Sequence, residues 1–280
     1  MIINLIYGII SKIYNICSKK SLSKIYLPDE FINNTINNKK NNNEELRIMS
    51  YNIDGLFVHY NLNNYENIAK FIKYQFLDNN IDVICLQEVW EKSIVDLIKK
   101  DLTHLYIANP STKLKYYIGE NTGLMIISRY EIYLNDFIEF QNCKLCCNMT
   151  RKGFQIVDIK YNNQYYSIIN THLQSSFNNI YYQNIATVQL NQIIEYCRNN
   201  KYLIMGDLNL DTQYIKQIIS NNITINYNPN LKHYITYPEN YEQLDYFLFV
   251  NNMFKENEIK FDIIKQDYSD HYPILLTIHI

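Results

Sequence analysis

Apolar residues follow two different spacings along the chain from about residue 46 to its end. Uninterrupted apolar runs are typical of strands that are covered on both faces, and spacings of three and four predict amphipathic helices. The runs predict strands at 46–51, 81–86, 123–128, 154–161, 165–173, 202–205 and 243–250, with a last one after residue 271, and the spacings predict helices at 64–78, 91–100, 180–198 and 212–220.

The order of these elements indicates the fold class. Strands and helices alternate through the first half of the chain, and strands dominate the second half, with no internal repeat. Asn162 and Asn163 separate two strand-like runs and predict a hairpin, whereas residues 221–240 show no clean period. Because apolar strands need cover on both faces, we expect an α/β fold with helices packed on the sheets.

The first 45 residues differ from the rest of the chain. We assign 1–27 to an amphipathic helix, 28–45 to an Asn-rich linker and 46–280 to the folded domain. Polar residues interrupt the helix too often for a transmembrane span. The segment is also a poor secretory signal, because it has no basic n-region and no small-residue cleavage site. Two interpretations stay open: the helix packs on the domain, or it lies in a membrane interface as a peripheral anchor.

Composition narrows the function less than the patterning does. The formal net charge of -2 gives no overall basic field of the kind that draws proteins to nucleic acid, although local patches could do so. Cys85 lies in an apolar run, which indicates a buried thiol. The cluster of Cys143, Cys146 and Cys147 could bind metal or cross-link, but no second Cys or His pair completes a zinc pattern. We therefore expect a reducing, intracellular location.

Polar residues stand where the predicted strands end. The stretch 202–211 shows the pattern best, because a short apolar run ends at Gly206 and is followed by Asp207 and Asn209, whose spacing points both side chains the same way. Each such residue alone is commonly a turn or surface residue. Together, carboxylates, carboxamides and imidazoles form a hard-oxygen cation site with acid–base partners. The set is Asn52, Glu88, His172, Asp207, Asn209, Asp245, Asp270 and His271.

The motifs that carry these residues resemble one superfamily. SYNIDG, LQEVW, GLMIIS, NTHLQ, GDLN, LDYFLF and SDHYP occur in the order seen in the endonuclease/exonuclease/phosphatase superfamily. The resemblance covers residues 46–280 and implies a four-layer α/β sandwich of two packed mixed β-sheets flanked by helices, as in deoxyribonucleases. LQEVW, THLQSS and the segment that begins RKGF are most similar to the neutral and bacterial sphingomyelinase branch, although the segment 221–240 is short and no apolar membrane hairpin is evident.

The resemblance implies a Mg²⁺-dependent phosphodiesterase, with Mn²⁺ or Co²⁺ as alternatives. Its expected reaction is the release of phosphocholine and ceramide from sphingomyelin at a phospholipid surface, with no obligate protein partner. The implied metal ligands are Asn52, Glu88 and Asp270. The implied catalytic residues are His271 as general base, Asp245 as the residue that orients it, Asp207 and Asn209 as holders of water or phosphate, and His172 as a donor, with Glu120 or Asn121 as the residue that orients His172.

Three other functions stay open. A nuclease on the same scaffold would need a basic groove for the phosphate backbone, which the near-neutral charge disfavours. A phosphoinositide phosphatase is a second alternative. A lipid-binding or interaction protein that retains the fold is a third, although all the metal and acid–base positions are present.

Overall fold

Two six-stranded mixed sheets pack face to face, with helices on their outer faces. The computed structural model describes residues 45–55, 62–110, 122–144, 147, 150–176, 179–221, 225–226, 234–251 and 253–280. The helix predicted at 1–27 and the linker up to residue 44 lie outside them. None of the helices in the described ranges is both long and apolar enough to span a bilayer.

Both sheets have the same arrangement of strands. Each has one parallel pair at its centre, and the other neighbouring strands are antiparallel. The strands are β1 Glu45–Asn52, β2 Val83–Val89, β3 Tyr106–Ala108, β4 Gly123–Ser128, β5 Ile132–Glu139, β6 Gly153–Tyr161, β7 Gln164–His172, β8 Leu203–Asp207, β9 Ile225–Asn226, β10 Asp245–Val250, β11 Ile259–Ile263 and β12 Ile274–His279. The first sheet runs β11-β12-β1-β2-β4-β3 and the second β5-β6-β7-β8-β10-β9, with β1 parallel to β2 and β7 parallel to β8.

Helices cover the outer face of each sheet, and this confirms the four-layer α/β sandwich. The first pair packs on the first sheet, with Ile68 and Ile94 in a cluster that includes Met49. The second pair packs on the second sheet, with Leu190 and Ile215 in its cluster. A third apolar cluster lies between the sheets. The helices are α1 Leu62–Leu77, α2 Lys92–Asp101, α3 Ile180–Cys197 and α4 Thr212–Ser220, and a 3-10 turn spans Glu256–Glu258.

Within the described residues, every strand and helix predicted from residue 46 onward is present, with ends that move by a few residues, and four further strands were missed. The hairpin turn at Asn162 and Asn163 has φ values of 48° and 61°, the left-handed conformation that a two-residue turn requires. The missed strands β3, β5, β9 and β11 are short or partly exposed. They lack the uninterrupted apolar run on which the prediction depended.

A buried polar contact joins the two sheets beneath the strand ends. Gln87 on β2 donates to Asn170 Oδ1 on β7 at 2.7 Å, and Asn170 Nδ2 donates back to the Leu86 carbonyl at 2.9 Å. Both side chains are fully buried. These two hydrogen bonds help to fix the relative position of β2 and β7. Candidate site residues follow within two positions on each strand, Glu88 on β2 and His172 at the end of β7.

Candidate active site

The strand ends of both sheets meet at one place. Register pairs His172 with Asp207 and Asp245 with Asp207, so three candidate residues form one row across β7, β8 and β10. Asn52 ends β1 in the other sheet, and its Nδ2 donates to Glu88 Oε1 at 3.0 Å and to Asp207 Oδ2 at 3.1 Å. This single carboxamide therefore joins the two sheets directly at the site.

Gly206 permits the close approach of β7 and β8 at this row. Its φ is +139°, and a Cβ atom at this position would lie 1.9 Å from the Thr171 carbonyl oxygen. No side chain fits there without moving backbone. The glycine that ends the apolar run in the sequence is therefore needed to bring Asp207 beside His172.

Glu88 is held in a strained conformation. The pairing of β2 with β4 shifts register between Leu86 and Val89, and Glu88 has a φ of 59°, which costs roughly 1–3 kcal/mol for a residue with a side chain. Its Oε2 atom is buried and has no hydrogen-bond partner among the described residues. Burial, reinforced by the charges of Asp54 and Asp270, raises the pKa of Glu88 to about 8. Such a carboxylate favours a proton or a cation.

His172 faces the same two carboxylates. Its Nε2 lies 3.5 Å from Asp207 Oδ2 and 3.9 Å from Glu88 Oε1, and neither ring nitrogen has a hydrogen-bond partner within the described ranges. Burial, with the positive charges of Lys152 and His271, holds the pKa of His172 well below its usual value, so the ring is neutral. The predicted orienting residues, Glu120 and Asn121, lie outside the described residues.

Three of these side chains could hold a divalent metal, and we call them the cation cluster: Glu88, His172 and Asp207. One ligand atom from each lies within 4.8 Å of the others. The unpartnered carboxylate oxygen of Glu88, a second buried carboxylate and a neutral imidazole fit the donor set of a divalent cation. The residues present therefore fit a divalent metal.

The other predicted ligands border the cluster. Asn52 directs its NH₂ group to both carboxylates while its Oδ1 accepts from the Asp54 amide at 3.1 Å, so in this orientation it holds the carboxylates in place. Half a turn of the carboxamide would present Oδ1 instead. Asp270 Oδ1 accepts from Ser269 Oγ at 3.3 Å, and its charge reaches Glu88 without joining the cluster.

A hydrogen-bonded imidazole and carboxylate stand beside the cation cluster. His271 Nδ1 lies 2.8 Å from Asp245 Oδ2, and His271 Nε2 lies 3.8 Å from Asp207 Oδ2. Burial lowers the pKa of His271, but the charges of Asp245 and Asp207 outweigh it, so this pKa is raised well above its usual value. Burial also raises the pKa of Asp207 to about 6. We call His271 and Asp245 the imidazole–carboxylate pair.

Asn209 is close to the cluster through its backbone. Its amide donates to Asp207 Oδ1 at 2.9 Å, and its Nδ2 donates to the Leu173 carbonyl at 3.4 Å. Its φ of 49° is a left-handed conformation that asparagine tolerates better than most residues. All eight predicted residues thus lie in or around one cleft, while their individual roles stay predictions.

Sequence reasoning missed four residues that shape the site. Lys152 is buried and donates to the Leu173 carbonyl at 2.7 Å, and its positive charge lowers the pKa of His172. The charge of Asp54 contributes to the raised pKa of Glu88. Thr236 and Tyr237 support the imidazole–carboxylate pair, and the Tyr237 ring centroid lies 5.0 Å from that of His271. The position of Lys152 just before a predicted strand was visible in the sequence, but its burial was not. Residues 221–240 have no regular spacing of apolar residues from which a role could be predicted.

A polar groove of ≈ 400 Å³ lies between the start of α4 and the segment just before β10. Asp211 and Leu244 line it, and each lies within two residues of a candidate site residue along the chain. Its charged lining consists of two carboxylates, Asp211 and Glu242, and one lysine, Lys216. Tyr241 also lines the groove; it is 80% exposed and has a φ of 59°. The groove is thus accessible, hydrogen-bonding and weakly acidic.

Comparison with known proteins decides the family. The model of the Endonuclease/Exonuclease/phosphatase family matches residues 49–271. The chain belongs to this family. The match begins in β1 and ends at His271, so it includes both the cation cluster and the imidazole–carboxylate pair.

Curated relatives within this family differ in their named activities. The chain is 28% identical over 199 residues to a sphingomyelinase C of Bacillus cereus, covering 61% of this chain and 59% of the relative. It is 27% identical over 133 residues to a 5'-tyrosyl-DNA phosphodiesterase of Caenorhabditis elegans, covering 47% of this chain and 33% of the relative. The chain thus matches only part of the length of either relative.

Solved structures of the family share the fold. A Staphylococcus aureus beta toxin variant with bound magnesium ions superposes with a TM-score of 0.68 at 20% identity, covering 83% of this chain and 99% of the toxin. The D. rerio TDP2 complexed with a single-strand DNA product gives a TM-score of 0.67 at 18% identity, covering 84% of this chain and 99% of TDP2. The fold is therefore about equally similar to the beta toxin structure and to the TDP2 structure.

Proposed function

We propose that this protein is a divalent-metal-dependent phosphodiesterase that hydrolyses sphingomyelin or a related choline phospholipid, releasing phosphocholine. The observation that carries the proposal is the meeting of the cation cluster and the imidazole–carboxylate pair in one cleft, with His271 Nε2 3.8 Å from Asp207 Oδ2. The magnesium in the beta toxin structure and the sphingomyelinase C relatives support the metal and the substrate class.

Glu88 and Asp207 would hold the metal, since carboxylate oxygens are the ligands that Mg²⁺ prefers. When bound, the ion neutralises charge that develops on the phosphoryl oxygens and on the leaving alkoxide. The neutral ring of His172 then suits hydrogen bonding to the phosphate better than protonation of the leaving group, because its pKa is held low. Asn209 would hold the phosphate or the attacking water.

His271 would accept the proton of the attacking water at Nε2. Its Nδ1 is occupied by Asp245 Oδ2, which fixes the ring and stabilises the imidazolium that forms. The same carboxylates that raise its pKa make the deprotonated ring a stronger base. Because only the deprotonated ring can accept a proton, we expect the rate to fall at acid pH as His271 becomes protonated.

The charge of the polar groove favours a choline headgroup over a polyanion. Two carboxylates and the exposed ring of Tyr241 offer charge attraction and a cation–π contact to a quaternary ammonium, against one lysine. A nucleic-acid strand would need the opposite charge in such a groove. The overall charge of -2 agrees with this preference.

A second candidate is a 5'-tyrosyl-DNA phosphodiesterase. The relative of that name and the TDP2 structure support it, because their similarity to this chain is close to that of the sphingomyelinase group. Both candidates are phosphodiesterases and would use the same cleft. Substrate, rather than reaction class, separates them.

One purified sample of the full chain separates the candidates. It is incubated with Mg²⁺ or EDTA and with sphingomyelin vesicles, a 5'-phosphotyrosyl oligonucleotide, plasmid DNA or a phosphoinositide. We expect Mg²⁺-dependent release of phosphocholine, and none from a His271→Ala preparation, which controls for contaminating enzymes. Turnover of the oligonucleotide with none of sphingomyelin would establish the second candidate instead.

A pair of soluble substrates tests the groove. p-Nitrophenylphosphorylcholine and its uncharged 3,3-dimethylbutyl isostere differ only in the ammonium charge. We expect the wild type to prefer the choline ester, and Tyr241→Ala to reduce that preference by about 2–5-fold, the effect of one exposed cation–π contact of about 0.5–1 kcal/mol. An unchanged preference would remove the groove from headgroup binding.

We also propose an intracellular, peripheral membrane location through the N-terminal residues. The intracellular location rests on the cysteine pattern of the sequence, in which the cysteines complete neither a zinc pattern nor a disulfide framework. Liposome flotation of the full chain and of a version that lacks residues 1–40 tests the membrane contact. Equal flotation of the two would exclude the N-terminal segment as an anchor.

A further inference from the structure

A small cavity lies where the segment just before β10 meets β10, β11 and the start of β12. The cavity has a volume of ≈ 10 Å³ and is lined by Thr236, Gln243 and Asp245 on its polar side. Gln243 Oε1 and Asp245 Oδ1 are both buried and have no hydrogen-bond partner within the described ranges. Gln243 is 8% exposed and Asp245 2%. Two buried acceptors without donors are costly, at about 1–3 kcal/mol each.

Thr236 is placed to complete this arrangement. It is fully buried, and its Oγ1 accepts from the backbone amides of Leu244 at 2.9 Å and Asp245 at 3.1 Å. With both acceptor positions used, the hydroxyl proton is left to donate. The Thr236 carbonyl accepts from the Tyr272 amide at 2.7 Å. Thr236 is therefore hydrogen-bonded both to Asp245 and to the residue that follows His271.

The size and chemistry of the cavity match one water molecule. A water needs about 10–15 Å³ and commonly makes about three hydrogen bonds. It would donate to Gln243 Oε1 and to Asp245 Oδ1 and accept from the Thr236 hydroxyl. The rest of the lining is mainly apolar and includes Phe247 and Phe261, together with Asp262, which is ion-paired to Lys260 at 2.9 Å.

We propose that Thr236 and Gln243, through one bound water, position the Asp245 carboxylate, and that they are positioning residues for the proposed hydrolysis. Asp245 uses Oδ2 for His271 Nδ1, so a donor on Oδ1 prevents rotation of the carboxylate and keeps the imidazole aimed at the cleft. The catalytic consequence rests on the proposed function, whereas the water site does not.

Kinetics of two threonine variants test the positioning role. Thr236→Val keeps the shape and removes the hydroxyl, and Thr236→Ser keeps the hydroxyl. We expect Thr236→Val to lower kcat by roughly 10–10²-fold, the scale of a small misplacement of a catalytic group, with KM changed less than about 2-fold. Thr236→Ser should recover most of kcat. The control is Thr187→Val on α3, whose hydroxyl donates to the Gln183 carbonyl at 2.9 Å.

Two further measurements separate positioning from stability. In the Thr236→Val protein the downfield imidazole proton of the His271–Asp245 hydrogen bond should shift or broaden, and in the Thr187→Val protein it should not. A lowered melting temperature with unchanged kcat and an unchanged proton resonance would overturn the positioning role.

The water site has its own test, which does not depend on activity. A high-resolution crystal structure of the full chain should show one ordered water within hydrogen-bond distance of Gln243 Oε1 and Asp245 Oδ1, and a Gln243→Met structure should lack it. An empty cavity, or a direct contact between the Gln243 amide and Asp245, would overturn the water site even if the protein is a phosphodiesterase. Loss of all activity in the wild type would overturn the proposed function and leave the water site standing.

Discussion

The two sides of the cleft differ in how completely their polar atoms are paired. In the imidazole–carboxylate pair, His271 Nδ1 and Asp245 Oδ2 are already bonded at 2.8 Å. In the cation cluster, Glu88 has a buried oxygen without a partner, a positive φ and a raised pKa. One side is assembled by the fold alone, and the other holds charge and strain that a cation would relieve. The proton-transfer geometry should therefore persist without metal, while the cluster depends on it.

The largest expected effect comes from removing the assembled side. His271→Ala should lower kcat by about 10²–10⁴-fold, the range for loss of a general base. Because the cation cluster is untouched, we expect Mg²⁺ to raise the melting temperature of the variant and of the wild type equally. Near-normal turnover, measured as phosphocholine release, would remove His271 from the chemistry.

Removing the charged oxygen of Glu88 tests the other side. Glu88→Gln should raise the Mg²⁺ concentration for half-maximal activity by at least about 10–100-fold, since even changes around a metal ligand have that effect. Without metal and above about pH 8, where Glu88 would be ionised, the variant should be more stable than the wild type, because a buried charge is gone. The matched control is Glu66→Gln, on the exposed face of α1, with neither effect expected. Unchanged metal dependence of the activity would place the cation elsewhere.

The stability of the metal-free protein should also depend on pH in a defined direction. The pKa of Glu88 is raised from 4.5 to about 8, so its contribution to stability is greatest below pH 4.5 and falls as pH rises toward 8. Asp207, raised to about 6, adds to the same trend over the lower part of that range. A cation replaces the proton, so its stabilising effect should grow over the same interval.

Thermal unfolding with Mg²⁺ or EDTA at pH 6 and pH 8 measures this difference. The Mg²⁺-induced rise in melting temperature should be larger at pH 8 by at least 2–4 °C, which corresponds to about 1 kcal/mol for a domain of this size. Glu88→Gln should flatten most of the dependence. A larger rise at pH 6 than at pH 8 would reverse the sign and refute the assignment of the proton to this cluster.

The sequence predicted the strand ends well because they are local features. Gly206 and the polar residues after it mark the end of a buried strand without any knowledge of its neighbours. The contacts between elements were not predictable in that way. The bonds from Asn52 to Glu88 and Asp207 span 36 and 155 residues, and the role of Thr236 depends on backbone amides that no side-chain pattern reveals. The role of a segment without a regular spacing of apolar residues can be seen only from its contacts in the folded structure.

The smallest expected effect comes from a second place where side chains have positive φ. Asn163 has a φ of 61°, close to the 59° of Glu88, but it lies in the exposed β6–β7 turn far along the strands from His172. The left-handed conformation there serves the two-residue turn, which glycine and asparagine both accept. Asn163→Gly should therefore change the free energy of unfolding by no more than about 0.5 kcal/mol and leave kcat and the Mg²⁺ requirement unchanged.

Urea unfolding and phosphocholine release on the same Asn163→Gly preparation check this expectation. The turn conformation is satisfied locally, so the substitution changes no atom that reaches the cleft. At Glu88 the same backbone angle accompanies a β-bulge and a carboxylate that faces the cluster, so its cost is tied to the position of that side chain. If Asn163→Gly altered the metal requirement, the hairpin would be coupled to the cation cluster through β7, and the two positive-φ positions could no longer be treated as independent.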